Sequence, residues 1–307
     1  MSVLYAGVED FDIEVFRSGI GIQSNPAYFR SGFARYCITP NSLSAYSLTT
    51  DFSGGAVTSC WFDLRVRFSG GANAANFGLC NSGASPPSKG LWFGKGSTEN
   101  KFAIFKYDGT TFTKLAEESG ELLPLNTVIQ LSIQVINYGA SATVNVYLDG
   151  STTPLVTYSG DVTVGGVSNL NCIGLRWTGN YAWYSESIVA DEDTRQMSVI
   201  TLYPNAAGDS NDWDGAYTAI DESNYDINDT IYTDTADEDF LCNLSGTPAG
   251  ANLEVKAIRI AARAFKTADA SIETLEIGVK SGSIDRYMPL PGRIKGFTSA
   301  KALYMPS

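Results

Sequence analysis

Three carboxylates near the N-terminus have a spacing that can support acid–base chemistry. In the stretch EDFDIE, Asp10, Asp12 and Glu14 alternate with apolar residues, so in an extended strand they would project from one face. Hydrolysis of a glycosidic bond by the retaining route needs two carboxyl groups about 5 Å apart. The favoured alternative is an exposed edge strand, because charged side chains protect sheet edges from unwanted pairing.

A second acidic stretch, GDSNDWDG, offers oxygen ligands for a calcium ion. The candidate ligands here and just upstream are Asp191, Asp193, Asp209, Asp212 and Asp214. The spacing is not that of an EF-hand, since the fifth position counted from Asp209 is Trp213 and the twelfth is not glutamate. A solvated acidic loop is the favoured interpretation, with no cofactor, and an irregular calcium site is the alternative.

Aromatic residues near position 180 can stack against a sugar ring. The candidates for glycan binding are Trp177, Tyr181 and Trp183. Each buried ring removes a large apolar area from water, so packing in the core competes with binding as the explanation for every one of them.

Composition excludes several classes of function. The chain of 307 residues has no histidine, which removes Ser-His-Asp and Cys-His nucleophiles and the commonest zinc ligand. A net charge of −12 disfavours nucleic acid and anionic lipid as partners. There is no apolar run long enough to insert into a membrane and no secretory signal pattern, so we expect a soluble, non-enzymatic protein made in a cytoplasm.

Five cysteines are spread along the chain without a Cys-x-x-Cys pair: Cys37, Cys60, Cys80, Cys172 and Cys242. Their odd number and wide spacing predict buried free thiols. Cys60 shares its parity with Phe62 and Leu64 in CWFDLRVRF, and we therefore expect it to point into the core.

Period-two patterning predicts an all-β fold. In VIQLSIQV, the apolar residues Ile129, Leu131, Ile133 and Val135 alternate with polar ones, as in a half-buried strand. Asp149-Gly150 and Asp108-Gly109 each interrupt such a pattern and predict hairpins. Residues 1–190 contain about nine or ten strand candidates and no convincing long helix, which indicates an antiparallel sandwich.

The composition changes near residue 195, and we place a domain boundary there. Residues 1–194 are predicted to form the first sandwich, and residues 195–307 a second, smaller antiparallel sandwich with a role in assembly. MSVITLYP, LEVKAIRIAARAF and IETLEIGVKSG are predicted strands of the second domain. The middle one also fits an amphipathic helix, but strand is favoured because its neighbours are strands.

Residues 183–240 carry a resemblance to a known family. The aromatic-Ser-Glu strand, the ADEDTR linker, TLYPNAAGD and the tryptophan loop that follows resemble a segment of bacteriophage virion structural proteins. Separately, VNVYLDG followed by PLVTYSGD resembles a hairpin of concanavalin A-like and laminin G-like jelly rolls. The resemblance implies a tail, fibre or surface decoration protein, located in the virion and assembled in the host cytoplasm, with no catalytic residues.

The partners implied by this resemblance are other virion proteins, further copies of the chain in a trimer or another symmetric assembly, and host cell-surface polysaccharide. The chain stops at SAKALYMPS, so we expect a partner subunit to supply the closing strand of the second sandwich. Two alternatives remain open. One is a carbohydrate-binding adhesin in its own right, and the other is a glycoside hydrolase, since EDFDIE resembles the Glu-x-Asp-x-Glu strand of a jelly-roll hydrolase family.

Overall fold

The structure is a computed structural model that describes the chain in segments. The described residues are 3–7, 13–15, 20–23, 37–40, 46–49, 51–52, 54–69, 75–84, 88–96, 100–120, 123–176, 182–200, 202–221, 230–235, 238–246, 257–260, 276–281, 284–289 and 303–306. The chain divides into two compact units, Met1–Ile200 and Thr201–Ser307. Each unit is described by itself.

The first unit consists of antiparallel strands. In chain order they are β1 (Val3–Gly7), β2 (Ile13–Val15), β3 (Ile20–Gln23), β4 (Cys37–Pro40), β5 (Tyr46–Thr49), β6 (Cys60–Phe68), β7 (Ala75–Cys80), β8 (Gly90–Lys95), β9 (Phe102–Tyr107), β10 (Phe112–Glu117), β11 (Val128–Ile136), β12 (Ala142–Leu148), β13 (Val156–Gly160), β14 (Cys172–Arg176) and β15 (Ala182–Ala190). They form an eight-stranded sheet in the order β13-β12-β11-β6-β15-β4-β3, with β1 also paired to β15. The other sheet has seven strands in the order β10-β9-β8-β7-β14-β5-β2.

The two sheets pack through alternating apolar side chains, as the period-two pattern predicts. On β6 and β11 the residues of one parity are buried, including Phe62, Leu64 and Ile133, while the intervening residues point to the other face. Phe77 of the seven-stranded sheet lies 6.0 Å from Phe62 and 6.1 Å from Tyr184, measured between ring centroids. Both of these rings belong to the eight-stranded sheet, so the core is a sandwich and the all-β prediction is confirmed.

Both predicted hairpins are present. β12 pairs with β13, and β9 pairs with β10. Asp149 and Gly150 have φ values of 48° and 72°, the left-handed conformation that a tight turn requires at these positions. Asp108 accepts hydrogen bonds from the backbone N–H groups of Thr110 and Thr111, which together with the Thr110 hydroxyl hold the pKa of Asp108 at about 2.

Strand β15 contains a bulge at Glu186. Its register with β6 passes from Ser185 opposite Arg65 to Ile188 opposite Asp63, so β15 carries one extra residue at this point. Glu186 has φ of 50° and is buried. A bulge of this kind re-aims side chains, and here it brings a carboxylate to the centre of the sheet.

The outward side of the seven-stranded sheet is aromatic. Trp92 is fully buried there, and a Cβ at Gly174 would lie 2.9 Å from its ring, so glycine is required beneath the indole. Tyr107 and Phe112 stack at 4.2 Å beside it, and the guanidinium of Arg176 lies 4.5 Å from the Phe112 ring centroid. At this part of the sheet the outward side is covered by its own rings.

The second unit contains strands that pair two by two in its described segments. They are β16 (Pro204–Asn211) with β17 (Phe240–Leu244), β18 (Ala257–Ile260) with β21 (Leu303–Pro306), and β19 (Glu276–Ser281) with β20 (Ile284–Pro289). A short 3-10 turn spans Tyr217–Ala219. Strand is confirmed for parts of LEVKAIRIAARAF and IETLEIGVKSG, and a closed second sandwich stays a prediction.

The prediction of a strand over MSVITLYP is wrong in position. The strand in this region begins at Pro204 and runs to Asn211, into residues interpreted from sequence as an acidic loop. Asp209 therefore lies on a strand rather than in a loop. The reason is pairing with β17, since Gly208 allows close approach: a Cβ there would lie 2.7 Å from the backbone of Leu241.

The predicted free thiols are confirmed where the structure describes them. Cys60, Cys80 and Cys172 are free and buried, and Cys242 is free and half-buried. Burial raises the pKa of the Cys60 thiol to about 12, so it is an inert core residue. In the described segments, the chain has no helix with the length and apolar character needed to cross a membrane.

Candidate functional site

The outward side of the eight-stranded sheet carries polar and aromatic side chains in register. We name it the polar face and define it by Trp61, Asp63, Arg65, Arg67, Gln130, Ser132, Gln134, Asn145, Tyr147, Thr157, Trp183 and Ser185. These residues alternate along β6, β11, β12, β13 and β15 with the residues of the core, so the period of the strands positions them.

One row of the polar face consists of uncharged amides and a hydroxyl. Gln134, Asn145 and Thr157 lie opposite one another on three neighbouring strands. The Asn145 amide donates to Gln134 Oε1 at 3.0 Å, and the Thr157 hydroxyl donates to Asn145 Oδ1 at 3.0 Å. Asn145 and Gln134 are half-buried and Thr157 is exposed. The row presents fixed donors and acceptors without charge, as recognition of a hydroxylated ligand requires.

An aromatic pair adjoins this row. The rings of Trp61 and Tyr147 stack with centroids 5.5 Å apart, and Trp61 lies opposite Gln134. The Tyr147 hydroxyl donates to Gln134 Oε1 at 3.4 Å. Rings held beside planar amides give a surface with one apolar part and one hydrogen-bonding part, which suits the two sides of a sugar ring.

The segment that follows β15 folds back onto the aromatic pair. We call residues 191–197 the strap. The guanidinium of Arg195 lies 4.7 Å from the Tyr147 ring centroid and 5.2 Å from that of Trp61, in the geometry of a cation–π contact. Arg195 Nη1 also donates to the carbonyl of Ser151 at 2.9 Å. Thr194 of the strap is fully buried.

Asp193 neutralises the guanidinium of Arg195. Asp193 Oδ2 accepts from Arg195 Nη2 at 2.6 Å, and Asp193 Oδ1 accepts from Arg195 Nε at 3.0 Å. These bonds lower the pKa of the Asp193 carboxyl. Because the Asp193–Arg195 pair has no net charge, Arg195 does not present an uncompensated positive charge to the polar face.

A pair of buried carboxylates lies at the centre of the polar face. Asp63 Oδ2 accepts hydrogen bonds from the Ser132 hydroxyl and, at 2.8 Å, from Gln130 Nε2. Glu186 lies 3.7 Å from Arg65 Nε. Burial raises the pKa of Asp63 to about 7, and the Glu186 charge adds to the rise, against the two hydrogen bonds and Arg65. With 2% of its surface exposed, Asp63 is buried in this structure.

The sequence-predicted glycan residues are only partly described. Trp183 lies on the polar face, is 9% exposed, and has the Arg67 guanidinium 5.2 Å from its ring centroid. Trp177 and Tyr181 lie outside the described residues. Glycan binding by these three rings stays a prediction. Asp10 and Asp12 are also outside the described residues, as is the side chain of Glu14.

The five predicted calcium ligands do not form one described cluster. Asp193 is paired with Arg195, and Asp212 accepts from the Ser210 hydroxyl at 3.1 Å. Asp214 forms a backbone bridge with Tyr232. Asp209 is exposed on β16, and Asp191 follows β15. In the part of the chain that the structure describes, no three histidine, cysteine or acidic residues come together to hold a metal ion, and calcium binding stays a prediction.

Apart from Trp183, sequence reasoning did not single out the residues that form this site. Trp61, Asp63, Asn145 and Tyr147 were visible only as polar or aromatic positions in strands. The sequence did contain a signal for them, because each residue alternates with the core residues of its strand and so belongs to the outward side of the sheet. What brings them together is register across the sheet, which local patterning does not specify.

Comparison with known proteins gives structural matches only. No protein-family model matches the chain, and no curated protein matches it. Solved structures similar to it include the carbohydrate-binding module CBM66 from Bacillus subtilis, with 13% identity over 49% of this chain and 84% of that one and a TM-score of 0.36. The cellulose-induced protein Cip1 has 12% identity over 57% and 86%, with a TM-score of 0.41. The galectin LEC-6 from Caenorhabditis elegans has 12% identity over 44% and 84%, with a TM-score of 0.31. Such structures are β-sandwich, jelly-roll proteins of carbohydrate-binding and lectin type.

Proposed function

We propose that the protein is a non-enzymatic structural component of a tailed-phage virion whose larger unit contacts cell-surface polysaccharide through the polar face. The virion assignment is supported by the resemblance of residues 183–240 to virion structural proteins. The partners proposed with it are other virion proteins and further copies of this chain. The polysaccharide contact is supported by the geometry of the polar face.

The observation that carries this proposal is the amide–hydroxyl row beside the Trp61–Tyr147 pair. Gln134, Asn145 and Thr157 are fixed by bonds to one another, so binding a ligand does not require ordering them first, which favours affinity. Because the row has no charge and Arg195 is paired with Asp193, the chemistry fits a neutral glycan better than an acidic one.

The described carboxylates of the polar face are not placed for hydrolysis, so we propose binding. Asp63 and Glu186 are both buried, and neither borders the amide–hydroxyl row across a strand pair. A glycosidase needs two carboxyl groups that reach opposite sides of the same bond. A surface of this kind holds a polysaccharide without cutting it.

Replacement of Trp61 by alanine is expected to weaken glycan binding at least about tenfold, which corresponds to about 1.4 kcal/mol. The loss would arise because the apolar half of the surface disappears while the amides remain. The measurement is binding of the full chain, wild-type and Trp61→Ala, to an array of neutral and acidic glycans. Trp213→Ala is the matched control, since Trp213 is a half-buried tryptophan of the second unit.

We expect the wild type and Trp213→Ala to bind the same neutral glycans. If Trp61→Ala is folded, as verified by circular dichroism, and binds glycans as the wild type does, the polar face is not the glycan-binding surface. Binding to glycans by the isolated protein but no association with purified particles would favour the adhesin alternative over the virion component.

A further inference from the structure

One side-chain amide connects the strap to a buried carboxylate. Gln130 Nε2 donates to Asp63 Oδ2 at 2.8 Å and to the backbone carbonyl of Arg195 at 3.0 Å. Asp63 faces away from the core, so it is buried only because other groups lie over it. The strap reaches Asp63 through this amide, and its Thr194 is fully buried.

The charged and titratable groups around Asp63 come from each neighbouring element. On its own strand, β6, the charged neighbour is Arg65, and on β15 it is Glu186. From β11 the neutral donors Ser132 and Gln130 face it. Tyr147 of β12 lies opposite Ser132, and Asp149 after β12 accepts from the backbone N–H of Gln130 at 2.8 Å. The strap contributes the paired Arg195 and Asp193, and its sequence also contains Asp191 and Glu192.

Ionisation of Asp63 conflicts with the closed strap. Burial, and after it the charge of the buried Glu186, raises the pKa of Asp63, so both features disfavour its ionised form in the closed structure. A buried charge is destabilised relative to a hydrated one. Any opening that admits water to Asp63 therefore becomes more favourable once the carboxyl has lost its proton. Protonation leaves both hydrogen bonds to Oδ2 in place, since the proton can reside on Oδ1.

The strap itself is held incompletely. Among the described residues, the buried Thr194 hydroxyl has no hydrogen-bond partner, and a buried unsatisfied hydroxyl costs stability that opening would recover. Arg195 is held more firmly, by Asp193 and by the Ser151 carbonyl. A segment with one unsatisfied buried hydroxyl and a few polar anchors is poised to open locally while the sandwich remains folded.

We propose that the strap is a proton-controlled cover of the polar face, closed while Asp63 is protonated and opened when Asp63 is ionised, so that Trp61 and Tyr147 become accessible. This goes beyond the proposed function and does not depend on it, because the opening can be observed without any glycan. The raised pKa of Asp63, about 7, indicates that the transition falls near neutral pH. Acid closes the cover, and mild alkali opens it.

The test is amide hydrogen exchange of residues 191–197 in the full chain, corrected for the intrinsic effect of pH. We expect exchange of the strap to rise about tenfold between about pH 5.5 and about pH 8.5, which corresponds to about 1.4 kcal/mol. Asp63→Asn should remove this rise and keep the strap closed, because an asparagine carbonyl oxygen at the Oδ2 position accepts the same two hydrogen bonds. Asp161→Asn is the matched control, an exposed carboxylate of the same unit that should leave the rise unchanged.

Ser132→Ala provides a second variant if Asp63→Asn does not fold. It removes a hydrogen bond that favours the ionised carboxylate, so the midpoint of opening should move to higher pH by about one unit. Strap exchange that does not change with pH in the wild type overturns the proposal. An unaltered rise in Asp63→Asn, or an unmoved midpoint in Ser132→Ala, overturns it as well.

Discussion

Replacement of Asp63 by asparagine is expected to abolish a fall of up to about 4 kcal/mol in the free energy of unfolding between about pH 4 and pH 8, the upper value applying to a carboxylate that stays buried when it is ionised. The pKa of Asp63 rises from 3.8 in the unfolded chain to about 7 in the folded one, and one pKa unit corresponds to about 1.4 kcal/mol. A raised pKa means that the folded state favours the proton. The contribution of Asp63 to stability is therefore fully present below about pH 4 and is lost as pH rises through about 7.

Other acids of the first unit act in the opposite direction and must be separated from Asp63. The pKa values of Asp108, Asp161 and Asp193 are lowered by hydrogen bonds, so their contributions are present above the unfolded pKa and are lost as pH falls. The wild type should thus have a stability maximum in mild acid. The difference in the free energy of unfolding between the wild type and Asp63→Asn isolates the contribution of Asp63, because the contributions of the other acids are the same in both proteins.

The measurement is urea denaturation of both proteins at a series of pH values, followed by tryptophan fluorescence. Asp63→Asn should be more stable than the wild type at pH 8 and about equal to it at pH 4. A difference that is the same at every pH would mean that Asp63 is hydrated in solution. The burial of the carboxylate beneath the strap would then be contradicted.

Replacement of Phe77 by alanine is expected to destabilise the first unit by about 3 to 5 kcal/mol. Phe77 is fully buried and contacts rings of both sheets, with centroids 5.7 Å from Phe93 and 6.1 Å from Tyr184. Its removal leaves a cavity between the two sheets, and the sheets cannot move together to fill it. The destabilisation therefore includes both the lost transfer free energy of the ring and the cost of the cavity. Denaturation by urea at constant pH measures the effect.

The matched control for this prediction is Ile136→Ala. Ile136 is also an apolar residue of the first unit but is 37% exposed, and its truncation should cost less than about 1 kcal/mol. Equal losses in the two variants would mean that the sandwich does not depend on packing between its sheets. Such a result would contradict the description of Phe77 as the centre of the core.

The sequence was sufficient for the core because the strands of the first unit obey a period of two. Phe62, Leu64 and Ile133 were placed inward by parity, and the turns at Asp108-Gly109 and Asp149-Gly150 were identified by their residue types. The strand over residues 204–211 was missed, because PNAAGDSN has little intrinsic preference for a strand. Its pairing with β17 is a non-local interaction that overrides local preference.

The candidate site was less accessible to prediction than the core. Gln134, Asn145 and Thr157 are separated in sequence and meet only through the register of three strands. Asp63 has the parity of an exposed residue, so nothing in CWFDLRVRF indicates that it is buried. Asp63 is nevertheless buried, with Ile188 of β15 opposite it and with Gln130 bonded both to it and to the strap, which was interpreted from sequence as a solvated linker.

The strap also explains how the acidic joint between the predicted domains is organised. ADEDTR was interpreted as a solvated joint with calcium as the alternative. In the structure, Asp193 is paired with Arg195, and Arg195 lies on the aromatic pair of the polar face. This part of the joint is therefore anchored to the first unit through contacts with Ser151, Trp61 and Tyr147.

Oxidative footprinting tests most directly whether the polar face holds a polysaccharide without cutting it. The full chain is exposed to hydroxyl radicals with and without a glycan identified on the array, and oxidation of each tryptophan is measured by mass spectrometry, together with the length of the glycan. We expect protection of Trp61, unchanged oxidation of Trp213 and a glycan of unchanged length. Protection confined to Trp213, or a shortened glycan, would contradict the claim.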